Sequence, residues 1–370
     1  MTTPRVLFLS PHAKSGGAER YLELLVERLG REWVAGVVTL EDGPLVERLS
    51  LRGVPTKVVA TGRRPLSLLR AAIRLAGLIR TVRPDVVHAN GSKAAAVALP
   101  ALWRRRVPLV WVKHDFSHDG WLSLVLAARA QQVVGVSATV LERLPRRWRK
   151  RYYVVYPGVE LADADRKTGA AALAEATSHP PDTPFVTLVG RLDPFKGHEE
   201  LLAAVAATRP ATDGVHLVFI GGADPSHPEH EARVRRVAAD VGLADEVSWL
   251  GQRDDVALLL AGSRLLAVPS VGGRKRMGEE GFGLVALEAF AVGTPVVGYA
   301  GGALPEVLGD CAVMVPPRDR RALGEAIAEL LEDEQRRSVL AACGRRRVAV
   351  YTFEQTVAGM KARYREACGS

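Results

Sequence analysis

Two carboxylates eight residues apart, Glu280 and Glu288, bracket the apolar, glycine-punctuated segment "EGFGLVALE". Gly281 and Gly283 precede a short helix expected over about 284–292, with Gly293 and Pro295 marking its end. Backbone amides at such a helix start, here Gly281, Phe282, Gly283 and Leu284, favour phosphate or hydroxyl oxygens. The acids on either side accept hydrogen bonds from a polyol. Together they describe a nucleotide-sugar pocket, with the sugar at Glu280, phosphates at the amides and ribose at Glu288. Upstream, "GRLDPFKGHEELL" sets Arg191 and Lys196 on one strand-to-helix loop, two cations suited to a diphosphate. In "SPHAKSGGAER", Gly16 and Gly17 open a helix after the first strand, a second place where amides meet an anion or simply a tight turn. The G-x-G-x-x-G spacing of nicotinamide enzymes is missing there, which argues against hydride transfer.

The elements that must position these residues are short apolar runs alternating with helical periodicity. In the first half "RVLFLS", "VAGVVTL", "TKVVA", "DVVHAN", "LVWVKH", "VVGVS" and "YYVVY" read as strands. In the second, "FVTLVG", "VHLVFIG", "VSWLG", "LLAVPS", "PVVGY" and "AVMV" do. Near-continuous apolar strands separated by helices predict parallel sheets covered on both faces, and ligands of such sheets sit beyond the strands' carboxyl ends. The expected fold class is α/β, two Rossmann-like domains facing across a cleft. The expected division is an acceptor-binding domain over 1–166, a linker over 167–184 where small residues and prolines dominate, and a nucleotide-sugar domain over 185–350. A helix over 351–370 should cross back to the first domain.

The 370 residues are too many for one core, and 48% hydrophobic with 25% charged residues is ordinary for a folded protein. The net charge of +9 is concentrated in "WRRR" (103–106) and "RRWRKR" (146–151). Such runs could meet polyanions, yet without repeats or interleaved aromatics they read first as solvated faces. No nucleic acid is expected; peripheral contact of 146–151 with an anionic membrane stays open. Three scattered cysteines suggest neither a disulfide framework nor a metal site, and a reducing compartment fits. No apolar run is long enough for a leader or a membrane span, so a cytoplasmic location is expected.

The stretch 280–308, with Glu280 and Glu288 at its acidic positions, resembles the E-x7-E signature of retaining glycosyltransferases of the GT-B fold, specifically family GT4 (group 1). "VGRLDPFKGHEELLAAV" looks like that family's diphosphate loop, and "YPGV", "GQRDDV" and "VPS" match further motifs of the family. The resemblance implies a hexosyltransferase working without cofactor or metal, taking a UDP- or GDP-sugar and a hydroxyl acceptor (glycan, lipid or small metabolite). Arg191 and Lys196 would neutralise the departing diphosphate, Glu288 would hold ribose, and Glu280 with the amides of 281–284 would hold the sugar. Gly16 and Gly17 would approach the donor phosphates. In "WVKHD", His114 looks like the family's histidine beside the transferred sugar, with His118 as rival. The string "DAD" (163–165) reads as polar linker rather than metal site. One departure is the long basic link "VGGRKRMGE" before Glu280, a flap over donor or acceptor or a surface loop; Glu279 adjoins Glu280 but lacks the spacing to Glu288. Within the same fold an epimerase or hydrolase of nucleotide sugars is the alternative, and a basic polyanion-binding protein a more distant one.

Overall fold

A computed structural model describes residues 3–14, 16–62, 65–103, 105–117, 119–160, 164–273 and 279–369. His118, Asp163 and the basic core of the 271–279 link, residues 274–278, lie outside them. The chain forms two compact units, Met1–Gly158 with Phe353–Ser370, and Val159–Thr352.

The N-terminal unit is built on seven strands, β1 (Val6–Ser10), β2 (Val34–Thr39), β3 (Thr56–Val58), β4 (Val86–Asn90), β5 (Leu109–Lys113), β6 (Gln132–Gly135) and β7 (Tyr152–Val154). They run in the order β3-β2-β1-β4-β5-β6-β7, every neighbour parallel. The inner strands are buried along their whole length, which is why they read as unbroken apolar runs. Helices α1 (Gly17–Leu29), α2 (Pro44–Leu51), α3 (Pro65–Val82), α4 (Ser92–Ala101) and α5 (Trp121–Arg129) connect them. The C-terminal helix Phe353–Ala367 belongs to this unit. Its Tyr364, fully buried, sets its ring edge-on to Phe8 of β1 and its hydroxyl 2.7 Å from His88 Nδ1 of β4. Glu354 pairs with Arg28 of α1 at 3.1 Å, and Lys361 and Arg365 lie over the Trp33 ring.

The second unit repeats the plan with β8 (Phe185–Val189), β9 (His216–Ile220), β10 (Val247–Gly251), β11 (Leu265–Val268), β12 (Val296–Tyr299) and β13 (Val313–Val315). Their order is β10-β9-β8-β11-β12-β13, again all parallel. The helices are α6 (Arg166–Thr177), α7 (His198–Ala207), α8 (His230–Asp240), α9 (Val256–Gly262), α10 (Leu284–Val292), α11 (Leu304–Leu308), α12 (Arg320–Glu332) and α13 (Glu334–Val348). In both sheets the strand order reverses beside the first strand, between β1 and β4 and between β8 and β11. Loops leaving those strands splay apart there and leave a crevice, the site that open α/β sheets use for ligands.

Two expectations change. The 167–184 segment is not a separate linker, since residues 159–184 go with the second unit and α6 occupies the stretch. Asp165 caps α6 through the amides of Lys167 (2.9 Å) and Thr168 (3.0 Å). The small residues that suggested a linker are its packing surface: a Cβ on Gly169 would lie 2.4 Å from the Gly262 nitrogen, and one on Gly262 2.3 Å from Gly169. The second correction concerns the cysteines. Cys311 and Cys343, 32 residues apart, are joined by a disulfide with Cα atoms 5.2 Å apart, and Cys368 alone is free. Their spacing carried no signal because the bridge joins the end of the α11 turn to α13, neighbours only after folding. The inference of a reducing compartment loses its support with it.

Gly169→Val forces a branched side chain into the backbone of α9. It should destabilise the protein by about 1–3 kcal/mol, read as a lowered denaturant midpoint; an unchanged midpoint would contradict the α6–α9 contact.

Candidate functional site: two loops at the strand-order switch

In the second unit the loops after β8 and β11 are held by glycines that let backbones meet. Gly190 donates to the Ile220 carbonyl, and Leu192 donates to Gly222 at 2.9 Å, so the loops after β8 and β9 run together. Asp193, buried, accepts from the amides of Phe195 (2.8 Å) and Lys196 (3.1 Å), which turns the chain and aims Lys196 back across Gly190. Gly197, at φ +80°, starts α7; a Cβ there would fall 2.0 Å from the Pro269 carbonyl oxygen of the loop after β11. That contact brings the two switch-point loops together.

Where they meet, Lys196 Nζ donates to Glu280 Oε1 at 2.6 Å, and Ser270 Oγ donates to the same oxygen at 2.8 Å. Glu280 is held from behind. Its carbonyl accepts from Ala303 at 2.8 Å, and Gly302 fits beneath it at φ +59° where a Cβ would lie 2.2 Å away. Glu279 takes a different job, accepting from the Gly302 amide at 3.1 Å, so the two adjacent acids are told apart. Burial pushes the Glu280 carboxyl up, but the Lys196 charge and hydrogen bond with the Ser270 hydroxyl outweigh it, and the group sits below the usual carboxylate range. Burial likewise pulls the Lys196 ammonium down, and Glu280 and Asp193 outweigh that pull against the opposing charge of Arg191. A lowered acid contributes stability that is lost as pH falls through its folded value. A raised amine contributes stability that is lost as pH rises through its own. The pair is therefore charged throughout the neutral range.

Arg191, half exposed, reaches towards Asp193 (3.8 Å) and Asp224 (3.6 Å). Beyond Glu280, Gly281, Phe282 and Gly283 are buried, Phe282 packing edge-on against Tyr351. Gly283, at φ +90°, opens α10, which ends at Val292 before Gly293 as the glycines and proline predict. Leu284 starts this helix and Glu288 lies one turn on, on the same partly exposed side, while Ala286, Leu287, Ala289 and Phe290 are buried. Arg191, Lys196, Glu280, the 281–284 amides and Glu288 thus all belong to the switch-point loops or to the helix that continues one of them.

In the N-terminal unit, Gly16 caps α1 and Gly17 is its first residue. Glu19, buried in the first turn, is close: a Cβ on Gly16 would meet its Oε2 at 2.5 Å. His114 directly follows β5, its Nε2 2.5 Å from Asn90 Oδ1 and its ring edge-on to Tyr21. Asn90 is oriented by its own amide, which donates to the Ala18 carbonyl at 3.0 Å. Oδ1 must therefore accept, so His114 carries its proton on Nε2 and presents Nδ1 as an acceptor. Burial lowers its pKa to about 4, with Asp115 pulling weakly the other way, so the imidazole is neutral at pH 7. Fully buried Lys113 pairs with buried Asp119 at 2.7 Å and also donates to the Asp115 carbonyl, clamping the loop that carries His114. Sequence reasoning named His114 but missed Asn90 and the Lys113–Asp119 clamp. A lysine ending an apolar strand six residues before an aspartate was the available signal. Among the described residues no cluster of three or more His, Cys, Asp or Glu has metal-site geometry.

Two Rossmann-like units, each a parallel sheet with its own strand-order switch, have the architecture of the GT-B fold. Residues 171–347 match the model of "Glycosyl transferases group 1", and residues 15–163 match that of "Glycosyltransferase Family 4". The D-inositol 3-phosphate glycosyltransferase of Salinispora tropica is 32% identical over 81% of this chain and 67% of its own. Its counterpart in Salinispora arenicola is 31% identical over 76% and 69%. Among solved structures, Anabaena HepE in complex with UDP and glucose superposes with a TM-score of 0.84 at 23% identity, covering 99% of this chain and all of that one. Sucrose-phosphate synthase from Thermosynechococcus elongatus gives 0.82 at 24% identity, covering 98% of each. The chain belongs to the group 1 glycosyltransferases of family GT4.

Titration of the imidazole protons by NMR should find His114 neutral down to about pH 4, whereas a midpoint at the ordinary 6.5 would contradict its burial.

Proposed function

We propose that this glycosyltransferase moves a hexosyl group from a UDP- or GDP-sugar to a hydroxyl acceptor, with retention of anomeric configuration and without a metal ion. The observation that carries the reading is the Lys196–Glu280–Ser270 cluster at the strand-order switch, beside Arg191 and the amides that open α10. Breaking the bond from C1 to the phosphate oxygen develops positive charge on the sugar and negative charge on the departing diphosphate. Fixed cations and helix amides stabilise the latter most in the transition state, the condition for acceleration. Arg191 and Lys196 serve that role where other enzymes use a divalent ion. Glu280, ionised and anchored on one oxygen, accepts hydrogen bonds from sugar hydroxyls, and Glu288 accepts from the ribose.

In the retaining step the acceptor oxygen bonds to C1 on the face the phosphate leaves, and the acceptor proton passes to a phosphate oxygen of the leaving group. We assign to neutral His114, through Nδ1, a hydrogen bond from a hydroxyl of the transferred sugar, and to the Gly16–Gly17 amides a contact with the donor phosphates. UDP and glucose in Anabaena HepE support a uridine nucleotide, and the D-inositol 3-phosphate glycosyltransferases among the relatives support a hydroxyl acceptor.

With EDTA present, Lys196→Ala and Arg191→Ala should each lower kcat by roughly 10²–10³-fold, the scale of losing one transition-state donor. Glu288→Ala should chiefly raise KM for the donor. Activity abolished by EDTA and restored by magnesium would overturn metal independence; free sugar or an epimer as the sole product would overturn transfer.

A further inference from the structure

We propose that the α3–α5 face of the N-terminal unit docks on an anionic lipid surface. The residues carrying this are large apolar side chains turned outward. On α3, Leu66, Leu69 and Ile73 follow one another at helical spacing and are 68%, 54% and 65% exposed. On α5, Trp121, Leu124 and Val125 do the same, Trp121 at 76%. Each helix keeps a second, inward face, Ala71, Ala72 and Leu75 on one and Leu126 and Ala127 on the other, so the outward stripes are additional to core packing.

Trp103, 66% exposed just beyond α4, neighbours both helices beyond the stripes. With Ala76, one turn along α3 from Ile73, it lines a recess of about 370 Å³ whose other walls are Pro100, Ala101 and Arg105. From the other side the Arg129 guanidinium of α5 lies 5.0 Å from its ring centroid. The 146–151 basic run abuts the same helix end, Arg151 reaching the Ala128 carbonyl.

Charge selects the occupant. Neither 65–82, 92–113 nor 121–129 contains one aspartate or glutamate, while exposed Arg70, Arg74, Arg80 and Arg106 border the stripes. Tryptophans, aliphatic side chains and a predominantly cationic border, with Asp115 and Asp119 confined to the loop before α5, are the chemistry of the headgroup boundary: rings and alkyl groups enter the upper acyl region while arginines meet lipid phosphates. A partner protein would need a large acidic surface with an apolar centre, whereas an anionic bilayer offers both along its whole area. No helix among the described residues is long and apolar enough to span the bilayer, so the contact is peripheral.

The test is co-sedimentation of the full chain with vesicles of phosphatidylcholine and phosphatidylglycerol in equal parts, and with phosphatidylcholine alone, alongside tryptophan emission. The expected result is binding to the anionic vesicles with a blue shift, and at least tenfold weaker partition for Trp121→Ser/Leu124→Ser. Each of Arg70→Gln and Arg74→Gln should weaken it roughly fivefold. None of these should alter the response of the melting temperature to UDP, which separates misfolding, and any failure of the nucleotide-sugar reading, from failure of docking. No binding to anionic vesicles would overturn the proposal, as would binding that depends on the 146–151 arginines alone. A concentration-dependent dimer abolished by Trp121→Ser/Leu124→Ser, without vesicle binding, would overturn it by assigning the face to a second copy of the chain.

Discussion

The contact between Lys196 and Glu280 is the constraint on which the second unit's site depends. It ties together two loops that leave neighbouring strands in opposite directions, 84 residues apart in the chain. The pair forms only because backbones approach at glycines: Gly197 against Pro269 on one side, and Gly302 against the carbonyl of Glu280 on the other. A methyl group at either place would separate the loops. An ammonium and a carboxylate so placed are each other's counter-ions, and under the proposed function a phosphate would partner one and hydroxyls the other. Their mutual attraction keeps both charged despite burial, so the site is electrostatically ready before anything binds.

The N-terminal unit solves a different problem with the same topology. Its loops after β1, β4 and β5 supply Gly16 and Gly17, Asn90 as the last residue of β4, and His114. Beside His114 a buried lysine–aspartate clamp fixes the loop, and an asparagine fixes the tautomer. The result is a neutral imidazole with a defined acceptor nitrogen. Such a group can accept a hydrogen bond from a hydroxyl without adding charge.

The sequence revealed what local chemistry writes into it. The α10 boundaries were legible because Gly283 and Gly293 sit at positive φ, and the Arg191–Lys196 loop because proline and glycine punctuate it. Parallel sheets followed from unbroken apolar strands. What stayed hidden depends on distance along the chain. The disulfide joins residues 32 apart, Asn90 reaches His114 across 24, and the α6 glycine matters only because Gly262 arrives opposite it. A run of small residues between prolines has the same composition whether it is a linker or a close helix contact. Propensity could not separate those two, and packing did.

The central claim is that Lys196 and Glu280 hold a nucleoside diphosphate sugar without a metal. Isothermal titration calorimetry of UDP and GDP in the presence of EDTA, on the unaltered chain and on Lys196→Ala, tests this most directly. One nucleotide should bind with micromolar or tighter affinity, and the variant should lose at least tenfold of it, the scale of a charge-assisted hydrogen bond to phosphate. Absence of binding by either nucleotide, or equal affinity in the variant, would contradict the assignment of this cluster to the donor.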